Sequence, residues 1–116
     1  MGIQISIIGL GYVGCISVAC ISKMGHKVIG VDKNQLKVEN INKGLSTIVE
    51  KEVGPMILKG EKNGLISATL DISSAIKDSN VTFICVNTPN TSEGDLDHSQ
   101  IYNVAIDIGK AIFDKN

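Results

Sequence analysis

The fold of this chain is decided by the segment Ile5-Ser6-Ile7-Ile8-Gly9-Leu10-Gly11-Tyr12-Val13-Gly14. The β-branched run before Gly9 predicts a strand that is buried on both faces. Beyond it, apolar residues recur at helical spacing from Gly11 to Met24, and Gly25 then supplies a C-terminal cap. The segment therefore predicts the central strand of an α/β sheet, turning directly into a helix.

The alternation of strand and helix continues along the rest of the chain. Further strands are predicted at 28–31, 65–69 and 81–86, with helices at 35–43, 52–62, 74–77 and from about 97 nearly to 116. This alternation predicts a parallel sheet of strand order 3-2-1-4, a doubly wound fold of the Rossmann type. Such a domain has about six strands when complete. We therefore expect residues 1–116 to form a partial domain, incomplete at the C-terminus.

The composition narrows the class of protein and its partners. The chain has 116 residues, of which 43% are hydrophobic and 20% charged, with a net charge of -1, as in an ordinary globular domain. All 11 basic residues are lysines, balanced by 12 carboxylates, so no nucleic acid partner is expected. The first apolar stretch has no preceding lysine and is interrupted by glycines, which favours a cytoplasmic protein without a membrane segment. The three cysteines lack metal-ligand spacing, so no metal site is expected.

Gly9, Gly11 and Gly14 form a G-x-G-x-x-G motif between a predicted strand and a predicted helix. In this context the first glycine permits the tight turn and the second lets the backbone approach a pyrophosphate. The third lets the helix pack closely on the strand. Because a helix N-terminus has unpaired N–H groups and a partial positive charge, the motif predicts a site for a dinucleotide phosphate.

Asp32 ends the second predicted strand, at the position where a carboxylate accepts hydrogen bonds from an adenosine ribose. A carboxylate there repels a 2′-phosphate, and the chain has no arginine to bind one, so NAD is favoured over NADP. Lys33 and Lys37 keep some phosphate binding open. Two other interpretations remain: the glycines only shape a turn, or the adenosine belongs to S-adenosylmethionine.

At this point the residues resemble a known family, the nucleotide-sugar 6-dehydrogenases (UDP-glucose/GDP-mannose dehydrogenases), in their amino-terminal NAD-binding domain. The resemblance is carried by the segment 5–14, then Gly25-His26-Lys27-Val28-Ile29-Gly30-Val31-Asp32, the connector (residues 44–50, GLSTIVE) and Phe83-Ile84-Cys85-Val86-Asn87-Thr88-Pro89. The stretch Gly94-Asp95-Leu96-Asp97 looks most like the GDP-mannose branch, with the UDP-glucose and UDP-N-acetylmannosamine branches as alternatives. The family usually continues its connector with Glu-Pro-Gly-Leu, whereas this chain has Glu50-Lys51-Glu52-Val53.

The resemblance implies an enzyme that oxidises the C6 alcohol of a nucleotide sugar to a carboxylate with two NAD, through a thioester on a cysteine. That cysteine and the sugar pocket are implied to lie beyond residue 116. Carried over by position, Tyr12 and Val13 lie on the cofactor, Asp32 and Lys37 on its adenosine side, and Thr88 near the nicotinamide. The resemblance also implies a homo-oligomer in the complete form and a part in polysaccharide biosynthesis.

Cys85 is not expected to be the nucleophile. It lies in an apolar strand, where a thiol is usually a small core hydrophobe whose pKa is raised by burial. We assign no catalytic residue within this chain. An alternative function is a non-catalytic NAD- or nucleotide-sensing module, since such regulatory domains share the glycine turn and the acidic residue.

The first testable prediction is that the 116-residue chain alone oxidises no nucleotide sugar, because the implied nucleophile and substrate pocket lie outside it. The purified chain is mixed with NAD and either GDP-mannose or UDP-glucose, and NADH formation is followed by absorbance. NADH appearing faster than in a protein-free control contradicts the prediction.

Overall fold

The computed structural model describes residues 3–86 and 98–114 of the chain. In chain order these residues form β1 (Gln4–Ile8), α1 (Tyr12–Lys23), β2 (Lys27–Val31), α2 (Gln35–Asn42), α3 (Val53–Lys62), β3 (Ile66–Thr69), α4 (Ile72–Asp78), β4 (Val81–Ile84) and α5 (Ser99–Asp114). The predicted alternation is confirmed, with most boundaries within two residues. Thr88 and the stretch 94–97 lie outside the described residues.

The strands form a parallel sheet of order β3-β2-β1-β4, which confirms the predicted topology. The chain moves outward from β1 to β2 and β3, then returns through α4 to place β4 on the opposite side of β1. The strand order therefore reverses between β1 and β4. In open α/β sheets, ligands bind outside the carboxyl ends of the strands at such a switch point.

Both faces of the sheet are covered, as the β-branched run of β1 predicts. On one face Ile5 and Ile7 pack in a core cluster with residues of α1, α2 and α3. On the other face Ile8 packs with Ala75 of α4 and Val104 of α5. Because side chains alternate across a strand, consecutive isoleucines supply both cores.

The turn between β1 and α1 is tightly enclosed, and this enclosure requires glycine at two positions. Gly9 has φ +105°, and a Cβ there would lie 2.6 Å from the Cys85 carbonyl oxygen. A Cβ on Gly14 would overlap the Gly9 carbonyl oxygen. The roles predicted for the first and third glycines, a tight turn and close helix packing, are both seen in this geometry.

The strand β4 differs from the prediction in its length and in its burial. The predicted strand 81–86 is shorter, Val81–Ile84, and Val81, Phe83 and Ile84 are 39%, 48% and 46% exposed. Within the described residues β4 is an edge of the sheet and pairs with β1 alone. A wholly apolar sequence predicts a strand that is buried on both faces. Whether β4 is buried also depends on a further neighbour on its open side.

We predict that Gly14→Ala lowers the free energy of unfolding by about 3 kcal/mol, because α1 must move away from the turn to admit the methyl group. Gly109→Ala is the control, since a Cβ at Gly109 meets nothing within 4 Å. In the middle of α5 this control should instead stabilise the chain by about 0.5–1 kcal/mol. Urea unfolding followed by circular dichroism measures both, and equal effects of the two variants would refute the role of the close contact.

Candidate dinucleotide-binding site

A cleft of about 590 Å³ opens over the carboxyl ends of β1, β2 and β4. The glycine turn contributes Gly9 and Gly11 to its lining, and the end of β2 contributes Val31 and Asp32. The remaining lining residues come from the starts of α2 and α4, the ends of β3 and β4, and α5: Lys33, Asn34, Lys37, Leu70, Ile72, Cys85, Val86, Gln100, Val104 and Asp107, with Ile8 at its floor. The cleft thus lies at the switch point of the sheet.

One wall of the cleft is the glycine turn with the first turn of α1. Gly11 is the N-cap residue of α1, and no side chain caps this end of the helix. The backbone N–H groups of the first helical turn are therefore left for water or for a ligand. Such a terminus, preceded by glycines, favours an anion.

The predicted cofactor residues separate into three groups in the structure. Gly9, Gly11, Asp32 and Lys37 line the cleft together. Tyr12 and Val13 begin α1 and are 59% and 64% exposed, outside the cleft lining. Gly14 is buried behind the turn, where it admits α1 rather than facing the cleft.

Asp32 is half-buried and holds two backbone groups with its carboxylate. Its Oδ2 accepts a hydrogen bond from the Leu10 N–H at 2.8 Å, and its Oδ1 accepts one from the Asn34 N–H at 2.9 Å. The carboxylate therefore joins the glycine turn to the start of α2. Since an ionised carboxylate has about four lone-pair positions, it can still accept bonds from a ligand hydroxyl.

The start of α2 forms the wall beside Asp32. Asn34, a residue type favoured at helix N-caps, caps the helix by accepting a hydrogen bond from the Lys37 N–H at 3.2 Å. Lys37 lies in the first turn of α2 and lines the cleft. Lys33 and Lys37 thus line the same cleft as the Asp32 carboxylate, which directly follows β2.

Two residues that contact Leu10 in the turn were not assigned a role from the sequence. Thr47 of the connector donates its hydroxyl to the Leu10 carbonyl at 2.9 Å. Gly30 of β2 makes room for the fully buried Leu10 side chain, because a Cβ at Gly30 would lie 2.6 Å from a Leu10 methyl. A glycine inside a strand is a known sign of close approach, so Gly30 could have been found; Thr47 carried no such signal.

The prediction that Cys85 is a core thiol is only partly correct. The residue follows β4, is only half-buried and lines the cleft. Burial nonetheless raises the pKa of the Cys85 thiol, as predicted. Within residues 3–86 and 98–114, no cluster of three or more His, Cys, Asp or Glu could hold a metal ion. No helix in the same residues is long and apolar enough to cross a membrane.

A parallel sheet with a glycine turn, an uncapped helix start and an acidic residue around one switch-point cleft defines a dinucleotide-binding domain of the Rossmann type. The model of the UDP-glucose/GDP-mannose dehydrogenase family, NAD binding domain, matches residues 3–116. The chain belongs to this family, and its cofactor is NAD. The family that this model describes is one of dehydrogenases, not of nucleotide-sensing modules.

Relatives from two branches of the family are similar to this chain. The GDP-mannose 6-dehydrogenase of Pseudomonas aeruginosa is 46% identical over 97% of the chain, and the UDP-glucose 6-dehydrogenase of Rhizobium meliloti is 35% identical over 90%. Those stretches cover 26% and 24% of the two relatives. The chain therefore spans about a quarter of the length of the curated relatives it matches. The higher identity supports the resemblance to the GDP-mannose branch.

Solved structures from the same two branches are also similar to this chain. The chain superposes with a TM-score of 0.92 on a ternary complex of GDP-mannose dehydrogenase from Pseudomonas aeruginosa, at 47% identity over 93% of this chain and 25% of that one. The TM-score is 0.91 for a UDP-glucose dehydrogenase from Pyrobaculum islandicum, at 28% identity over 97% of this chain and 26% of that one. The overall backbone of the chain is thus close to that of solved dehydrogenases.

We predict that Cys85 is alkylated at higher pH in the folded chain than in the urea-unfolded chain. Because its pKa is raised by burial, a smaller fraction is thiolate at any given pH, and the thiolate is the reactive form. Iodoacetamide labelling across a pH series, analysed by peptide mass spectrometry, measures the rate for each cysteine, with the exposed Cys20 confirming that reagent is not limiting. A folded profile at equal or lower pH contradicts the prediction.

Proposed function

We propose that this chain binds NAD as the cofactor part of a nucleotide-sugar 6-dehydrogenase, and that GDP-mannose is the substrate of the complete protein. The observation that carries the proposal is one cleft, lined by both the glycine turn and the Asp32 carboxylate, at the switch point of the sheet. The 46% identity to a GDP-mannose 6-dehydrogenase supports the choice of sugar.

In the proposed complex the pyrophosphate lies against the glycine turn. The missing side chains of Gly9 and Gly11 let the backbone approach the phosphates, and Gly14 keeps the start of α1 close to them. The first-turn N–H groups of α1 lack a side-chain cap and are suited to donate to phosphate oxygens. Tyr12 and Val13, exposed on that turn, are proposed to lie along the cofactor.

The adenosine ribose is proposed to lie on Asp32. Each carboxylate oxygen already accepts one backbone N–H, and its remaining lone pairs are free to accept the two ribose hydroxyls. This arrangement fits NAD, because a 2′-phosphate would meet the carboxylate charge in a half-buried position. Lys37, on the same wall, is proposed to contact the adenosine side.

Bound NAD would supply the acceptor for the hydride removed from the sugar. Thr88 follows β4, beyond the described residues, and we propose that it lies near the nicotinamide end. We assign the nucleophilic cysteine, the sugar pocket and the remainder of this domain to protein beyond residue 116. The complete protein is further proposed to be a cytoplasmic homo-oligomer that serves polysaccharide biosynthesis.

We predict that Asp32→Ala weakens NAD binding at least about tenfold, because charge-assisted hydrogen bonds to the ribose are lost. NADP should lose less affinity than NAD, since the same change removes the repulsion of a 2′-phosphate. Isothermal titration calorimetry of both cofactors against wild type and variant measures these affinities.

The ratio of NAD to NADP affinity isolates the ribose contact. Asp32→Ala also frees the Leu10 N–H, which can weaken both cofactors alike, whereas only the ribose contact distinguishes them. Asp78→Ala removes an exposed carboxylate at the end of α4 and should leave both affinities unchanged. The assignment is wrong if wild type binds NADP as well as NAD, or if the Asp32 variant binds NAD unchanged.

A further inference from the structure

Leu10, between the first two glycines, is held by three contacts from two parts of the chain. Its N–H donates to Asp32 at the end of β2, its carbonyl accepts from the Thr47 hydroxyl of the connector, and its side chain fills the space over Gly30. Two of these contacts come from Gly30 in β2 and from Asp32 directly after it. The third comes from a segment 37 residues away in sequence.

We propose that Thr47 is a positioning residue for dinucleotide binding, which braces the Leu10–Gly11 peptide in the orientation that the phosphates require. The proposal rests on the function proposed above and adds to it a residue that touches neither phosphate nor ribose. The connector then acts on the cofactor through the glycine turn.

The geometry of the peptide unit explains how a hydrogen bond to the Leu10 carbonyl sets the direction of the Gly11 N–H. The described chain has no cis peptide bond, so the Leu10 carbonyl and the Gly11 N–H point in opposite directions. Holding the carbonyl at 2.9 Å from the Thr47 hydroxyl therefore turns the Gly11 N–H away from the connector. Among residues 3–86 and 98–114 that N–H has no acceptor, and Gly11 lines the cleft.

The connector is itself ordered by local hydrogen bonds, which lets it act as a rigid support. The Ser46 hydroxyl donates to the Ile48 carbonyl at 2.9 Å and accepts from the Ile48 N–H at 3.1 Å. The same hydroxyl lies 3.5 Å from the Cys15 sulfur on α1. Thr47, between these anchored residues, is thus presented to the turn in one position. A glycine-rich loop that is already ordered costs less conformational entropy when it binds.

The test compares Thr47→Val, which keeps the shape but removes the hydroxyl, with Thr47→Ser, which keeps the hydroxyl. In the 116-residue chain without cofactor, Thr47→Val should raise the amide hydrogen-exchange rate of Leu10 about three- to tenfold. The Leu10 N–H keeps its acceptor, Asp32, but the turn that holds it there opens more often once the neutral hydrogen bond to the Leu10 carbonyl is lost. NAD affinity, measured by calorimetry, should fall by a similar factor. Thr47→Ser should stay within about twofold of wild type in both measurements.

Thr82→Val is the matched control. Thr82 is another half-buried threonine with a hydroxyl hydrogen bond, at 2.7 Å to Ser6 on the sheet rather than to the glycine turn. This variant should leave Leu10 exchange unchanged even where the unfolding midpoint falls. Unchanged Leu10 exchange in Thr47→Val, or an equal rise in Thr82→Val, would overturn the proposal.

The same measurements distinguish failure of the proposed function from failure of the Thr47 proposal. If wild type binds no NAD, the proposed function fails, while Leu10 exchange still decides whether Thr47 braces the turn. If Thr47→Val does not fold, Thr47→Ala is measured in its place, with Thr47→Ser as the rescue. NAD affinity that is lost equally in Thr47→Ser and Thr47→Val also refutes the role of the hydroxyl.

Discussion

The close approach of α1 to the turn after β1 is the constraint on which the cleft depends. Gly14 allows α1 to pass beside the Gly9 carbonyl, and Gly9 in turn fits beneath the carbonyl of Cys85. The Gly9 N–H also donates to Val31 at 2.7 Å. The turn is therefore enclosed between the ends of β2 and β4, and a side chain at either glycine would force these elements apart. The uncapped start of α1 reaches the cleft because this space stays closed.

The polar groups at the cleft combine folding with the proposed binding. Asp32 links the glycine turn to α2 through two backbone hydrogen bonds, and the same carboxylate is the proposed ribose ligand. Leu10 shows the complementary arrangement, since its buried side chain lies in a loop whose glycines, Gly9 and Gly11, line the cleft. Binding groups that are already fixed by folding lose little further entropy on binding. The geometry and the affinity of such a site are consequently coupled, which explains why distant positions such as Thr47 can matter.

Much of the fold was predictable because its signals are local. The β-branched run of β1 and the glycine that ends α1, Gly25, are properties of neighbouring residues. They located the strands and helices, and alternation of the two predicted the parallel order. The cofactor motif was predictable for the same reason, since the glycine spacing between a strand and a helix is itself a local feature. The exposure of β4 was not predictable, because a run of apolar residues does not reveal whether another strand lies beside it.

By itself the sequence determined the order of the elements, the sheet topology and the chemistry of the glycine turn with Asp32, since each follows from residue type and short spacing. The tertiary structure alone decided which of these residues share the cleft. Lys37 reaches it while Tyr12 and Val13 remain outside its lining. The tertiary structure also decided that Thr47 and Gly30 both act on Leu10, at separations of 37 and 20 residues. Contacts of that range depend on how strands and loops are brought together, which local spacing does not encode.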